Sequence, residues 1–93
     1  MFNRTLPIGS VVLLKNASKR LMIIGYCRRK SEEDNTIFDY VGCIYPEGFM
    51  NVNTTALFNH EDIEHIFSLG FQNEQRFQFE EILKEELDRV KPF

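Results

Sequence analysis

Up to about residue 71 the apolar residues come in short runs with strand spacing, and beyond it they recur every three or four positions. LPIGSVVLLK sets a rigid Pro7 and a permissive Gly9 before Val11, Val12, Leu13 and Leu14, a short β-branched run that predicts a strand. Asn16 to Ser18 is a turn signal. KRLMIIGYCRRK follows, and Leu21 to Ile24 are apolar on both alternations, which predicts a central strand covered on each face. SEEDN is a polar break. TIFDYVGCIY then places Phe38, Tyr40 and Ile44 on one face of a third strand, and Ile37, Val41 and Cys43 on the other. PEG at 46–48 fits a tight turn, and FMNV after it reads as a short fourth strand.

Residues 58–67, FNHEDIEHIF, combine two turn signals. Asn59 is a good N-cap, and Asp62 three positions on is the reciprocal partner of a capping box. Phe58 and Ile63 flank it as a hydrophobic staple. The preferred reading is one capped turn that delivers the chain into a last strand around Ile66, Phe67 and Leu69, ending at Gly70. The alternative is a two-turn helix through Phe67. From Asn73, a second cap, the stripe Phe79, Ile82, Leu83, Leu87 and Val90 predicts an amphipathic helix to about residue 91. Glu80 with Lys84 and Glu85 with Arg89 are i,i+4 pairs on it. Packing of this helix on the sheet is the ordinary expectation, and docking on a partner or a second copy is the other.

These elements predict one α+β domain over residues 1–93. Its sheet, within 10–71, is a small, strongly bent antiparallel sheet or partly closed barrel of four to five strands. A short capped turn lies near 59–63, and the C-terminal amphipathic helix covers about 73–91.

Composition supports one domain and no more. The chain has 93 residues, 43% of them hydrophobic, with nine Phe, three Tyr and no Trp; two domains of half that length would each bury too little. No apolar run approaches a membrane span, and MFNRTLPIG is too polar for a secretory signal, so a cytoplasmic location is expected, with export by a route lacking such a signal left open. Cys27 and Cys43 have no second pair to complete a four-thiolate zinc site and read first as buried thiols. The net charge of −3 is unevenly spread: residues 1–31 hold seven Lys or Arg and no acid, and all fourteen acids lie in 32–93. That asymmetry either gives a dipolar surface or cancels by packing one end of the chain on the other.

The candidate chemistry is thin. His60 and His65 are five positions apart, so a helix would separate them by about 140° and a strand would place them on opposite faces; the zincin spacing is four. The serines lack a nucleophile-elbow context. Asp39, inside the apolar third strand, is the one unusual carboxylate; it either faces solvent at an edge or pairs with Arg28 or Arg29 across a hairpin. No catalytic, cofactor-binding or metal-binding residue is assigned, and the chain is not read as an enzyme. A nucleic-acid reading rests on Lys15, Lys19, Arg20, Arg28, Arg29 and Lys30, with Tyr26 and Tyr40 near them for stacking, against an acidic whole and no RNA-binding signature.

The blocks Leu6 to Val12, Met22 to Gly25, Phe38 to Gly42 with Tyr45 to Gly48, and Phe58 to Ile63 together resemble a family of small bacterial proteins, domain of unknown function 4176. Phe38 stands where that family usually has tyrosine. The likeness runs from about residue 6 to 71. The family is typical of low-GC Gram-positive bacteria and occurs beside type VII secretion genes, often near LXG-type toxins. The resemblance implies an accessory factor: a cytoplasmic adaptor or targeting chaperone for such an effector. It supplies no catalytic residue to carry over.

A protein partner is therefore expected, an LXG-type effector or its complex, with self-association possible and no membrane contact. Phe49, Met50 and Val52, apolar residues after a turn, and Phe71, Phe77 and Phe93 are the candidate contacts, each group divided between core and interface. An open strand edge could also accept a partner strand.

Overall fold

The computed structural model describes residues 5–91. Five strands form one antiparallel sheet: β1 Val11–Leu14, β2 Leu21–Arg29, β3 Ile37–Ile44, β4 Thr55–Phe58 and β5 Ile63–Ser68, in the order β4-β3-β2-β1-β5. One helix, α1, spans Glu74–Val90. β2 is the central strand, as its doubly apolar Leu21–Ile24 run predicts.

β4 and β5 are consecutive in the chain yet lie at opposite edges. Only residues 59–62 join them. Across a flat sheet the gap would be about 19 Å, four strand spacings. A 3₁₀ turn rising about 2 Å per residue cannot cross that, so the sheet must curl. The edges come close without pairing: β4 and β5 form no ladder, and the sheet is open. The barrel alternative is therefore not what forms.

Inside the curl, Val12, Leu21, Ile23, Tyr40 and Phe58 make the buried cluster, with Leu6, Leu14, Tyr26, Ile44, Ala56 and Ile63 against it. Of the two sides of the expected staple, Phe58 belongs to this cluster and Ile63 packs against it. The Tyr40 and Phe58 rings stack at 5.4 Å on directly paired residues. The opposite face of β3 is covered too: Val41 and Cys43 are buried. Gly25 permits this, since a Cβ there would lie 2.8 Å from Val41 Cγ1.

The fourth strand is displaced from its expected place. FMNV is not a strand. Gly48 (φ 85°) closes the turn with its N–H on Ile44 O, and Val52–Thr54 is a 3₁₀ turn begun at Asn51. Thr54 Oγ1 accepts from Asn51 N and donates to Asn51 O. Only then does β4 begin, in register with β3.

Helix α1 starts where expected, with Asn73 Oδ1 accepting from Arg76 N at 3.0 Å. It packs on the sheet through buried Leu83 and Leu87, together worth roughly 3–6 kcal/mol of apolar burial, and through a Phe79–Tyr26 ring contact. The expected stripe is only partly inward: Phe79 and Ile82 are 45% and 63% exposed. Arg76 sets this rotation. Its Nη2 donates to Thr5 O at 2.6 Å and lies 3.7 Å from buried Glu80, so the 76-80-83-87 line faces inward. Arg89 pairs with Glu86, and the expected Glu80–Lys84 and Glu85–Arg89 pairs do not form.

Candidate functional site

Two features stand out: a buried polar junction and a set of exposed apolar side chains. The junction starts from the capped turn. Asn59 N–H donates to Asp62 Oδ2 at 2.9 Å, as the N-x-x-D spacing predicts. The Asn59 side-chain oxygen also reaches outward, accepting from Asp39 N at 3.1 Å and Lys91 Nζ at 2.7 Å. Asp39 is 4% exposed. It neither faces solvent nor pairs with Arg28 or Arg29; its Oδ2 accepts from His60 N at 2.9 Å and its Oδ1 from Lys91 Nζ at 2.8 Å. Lys91 thereby clamps the end of α1 to β3 and to the β4–β5 turn.

Beside it, the Tyr40 hydroxyl accepts from Leu6 N at 3.0 Å and lies 2.7 Å from His60 Nδ1. A hydroxyl carries one donor and two acceptor sites, so the Tyr40 oxygen serves Leu6 N–H and His60 Nδ1 at once. Tyr26 OH donates to Leu6 O at 2.5 Å, so two tyrosines hold both backbone groups of Leu6. Tyr40→Phe strips a partner from Leu6 N–H and from His60 at once. It is expected to lower stability by about 2 kcal/mol, read from the urea midpoint.

Burial lowers the His60 pKa from its ordinary 6.5, while Asp39 acts in the opposite direction. The unfolded chain then binds the proton more readily than the folded one. Stability is full while His60 is neutral in both states; it falls as pH drops through the unfolded value near 6.5, and levels off below the lowered folded value. His60→Gln is expected to flatten this part of the stability–pH curve between pH 7.5 and 5.5, and an unchanged slope would refute it.

His65 is exposed on β5, its ring edge against Phe67 at 4.5 Å, away from the Tyr40–His60 contact. No group of His, Cys, Asp or Glu among the described residues could hold a metal ion. Ser10 is fully buried, its Oγ donating to Pro7 O and accepting from Gly70 N. Cys43 is buried and Cys27 half-buried, and both are free thiols. Burial, then Glu86 and Asp39, push the Cys27 pKa up, the reverse of a reactive cysteine.

The candidate contact residues lie mostly outside the core. Phe49, Met50 and Val52 are 59%, 60% and 71% exposed, Phe71 is 80% and Phe77 42%; Phe93 lies outside the described residues. They are not one patch. Phe49 and Val52 line a groove of about 440 Å³ with Ile24, Val41, Leu57 and Arg28. Phe71 lines a smaller hollow with Ile8, Tyr26 and Phe79 at the start of α1. The basic residues divide as well. Lys15, Lys19 and Arg20 sit at the β1–β2 turn, where Lys19 pairs with Glu47 at 2.8 Å and Arg20 stacks over Phe67 at 4.1 Å. Arg28, Arg29 and Lys30 lie at the other end of β2, roughly 26 Å away along the strand.

Sequence reasoning missed the Asp39–Lys91 contact and the Tyr40 hub. Their partners lie far apart in the chain, and no local spacing marks them. The Asn51 turn did carry a signal, because N-x-x-T repeats the cap geometry of Asn59 and Asp62.

No curated protein and no solved structure matches the chain significantly. A family match covers residues 5–79, which takes in the whole sheet and the first six residues of α1. On that match the chain belongs to the family described as Domain of unknown function (DUF4176).

Proposed function

We propose that this chain is a non-catalytic protein-interaction module, a cytoplasmic adaptor or targeting chaperone for a type VII secretion effector of the LXG class. The observation that carries the interaction part is the 49–52 segment. Three large apolar side chains within four residues are more than half exposed there, although the fold has a well-filled core elsewhere. Scattered apolar residues need no explanation, but a cluster beside an apolar groove suits a docking surface. The effector class comes from the family resemblance alone.

The test is affinity capture of a tagged chain from its native host, read by mass spectrometry, with secretion followed in a deletion strain. The expected result is co-purification with an LXG-type toxin and loss of that toxin from the medium. Capture of no such toxin refutes the effector assignment. The nucleic-acid alternative has less support, since its six bases divide between the two ends of β2 and offer no continuous track for a phosphate backbone.

A further inference from the structure

The groove beside β3 has a chemistry that selects its occupant. Val41 and Leu57, directly paired across β3 and β4, lie on the sheet face turned away from the Tyr40–Phe58 core. Ile24, Phe49 and Val52 extend the apolar part, Gly25, Tyr26 and Thr55 also line it, and Arg28 and Lys30 are the charged members. Among the described residues no carboxylate lines it. Lys30 has Asp34 at 3.8 Å, with both side chains about half exposed, a contact weak enough to be exchanged. Arg28 has no ion pair among the described residues. The volume, about 440 Å³, suits a few side chains and is too small for a whole helix.

An apolar hollow with cations and no acids complements one kind of segment. We infer that this groove binds a short partner segment bearing one or two large apolar side chains next to Asp or Glu. The apolar anchors enter between Phe49, Val52 and Leu57, and the carboxylates meet Arg28 and Lys30. A carboxylate can take Arg28 in a two-point contact, which fixes the direction of the bound segment. This rests on the reading of the chain as a protein-interaction module and adds the place and the partner's chemistry.

The test uses the full chain and a phage-displayed peptide library, with selected peptides resynthesised and measured by fluorescence anisotropy. Expected are peptides that combine Phe, Leu or Met with Asp or Glu. Binding should weaken at least about tenfold in Val52→Asp, and about tenfold in Arg28→Glu with Lys30→Glu, where the salt dependence should also change sign. Both variants change exposed positions, and an unshifted urea midpoint verifies their fold. Failure to select any peptide, selection of basic peptides, or peptides whose affinity ignores both variants each overturns the inference. So does displacement of the peptide by a single-stranded oligonucleotide at equal concentration, or concentration-dependent dimerisation lost in Val52→Asp. The two readings fail separately. If the wild type and both variants capture the same toxin equally, the groove assignment falls and the adaptor reading stands. If no toxin is captured but acidic-apolar peptides bind the groove, the effector assignment falls alone.

Discussion

Gly70→Ala is expected to destabilise the fold by about 3 kcal/mol, the upper part of the range for forced overpacking. A Cβ at Gly70 would stand 1.9 Å from Ile8 O, 2.8 Å from Ile8 C and 3.2 Å from Gly9 C. All three are backbone atoms, so no rotamer change relieves the clash. The chain after β5 would have to leave the 7–10 segment, breaking the Gly70 N to Ser10 Oγ hydrogen bond of 3.1 Å. Ser10 is fully buried, so its hydroxyl would lose a partner where water cannot replace it. Gly48→Ala is the control. Gly48, unlike Gly70, has positive φ, at 85°, but nothing lies within 4 Å of its Cβ position, so the cost is only the backbone preference, about 1 kcal/mol. Equal urea midpoints for the two variants would show that the tight Ile8–Gly70 approach does not exist in solution.

Asp39→Ala should cost about 3–4 kcal/mol. The carboxylate is nearly inaccessible and accepts from both His60 N and Lys91 Nζ. Removing it takes the acceptor from a part-buried N–H and leaves the Lys91 ammonium with Asn59 Oδ1 but no counter-charge, the costly way to break such a pair. Asp39→Asn should cost less, because its side-chain oxygen still accepts from His60 N–H. Lys91→Met should cost less again. The Lys91 side chain is 27% exposed against 6% for Asp39, so solvent can reach the place its ammonium leaves. A double-mutant cycle between Asp39→Ala and Lys91→Met should give a coupling energy of about 1 kcal/mol or more. Strict additivity would mean that α1 is not clamped to β3 through this contact.

The sequence was most legible where the determinants are local. The two-sided apolar run of β2, the Asn59–Asp62 turn and the Asn73 cap are each set by residues within four positions. They appear at the expected places. β4 was not legible, because Thr55–Phe58 is four residues long and its strand identity comes from pairing with Tyr40 to Cys43. FMNV has a better strand composition but lies between the Gly48 turn and the Asn51 turn. The helix was legible in extent and only partly in orientation. An apolar stripe takes in Phe79 and Ile82, yet Arg76 and Lys91 each have polar partners on the sheet side that decide the rotation. The contact residues Phe49, Met50, Val52 and Phe71 could be named from sequence, but their exposure could not. Whether an apolar side chain fills a core depends on how much room that core has left, and Tyr40 and Phe58 already occupy it.

The strand order also governs how the chain can be assembled during synthesis. β1 to β4 form by successive nearest-neighbour hairpins, each closing a short loop. The β1–β5 ladder is different, pairing Val12 with Ile66 and Leu14 with Ile63, so its loop-closure entropy is met only once residues 63–66 have been made. A ribosome-bound chain that has emerged only to residue 58 therefore holds a four-stranded meander with β1 as an open edge, a state prone to pairing with another strand. The Lys91 clamp comes later still, after α1 has followed β5. The 59–62 turn, by carrying β5 round to β1, is the step that covers this vulnerable edge.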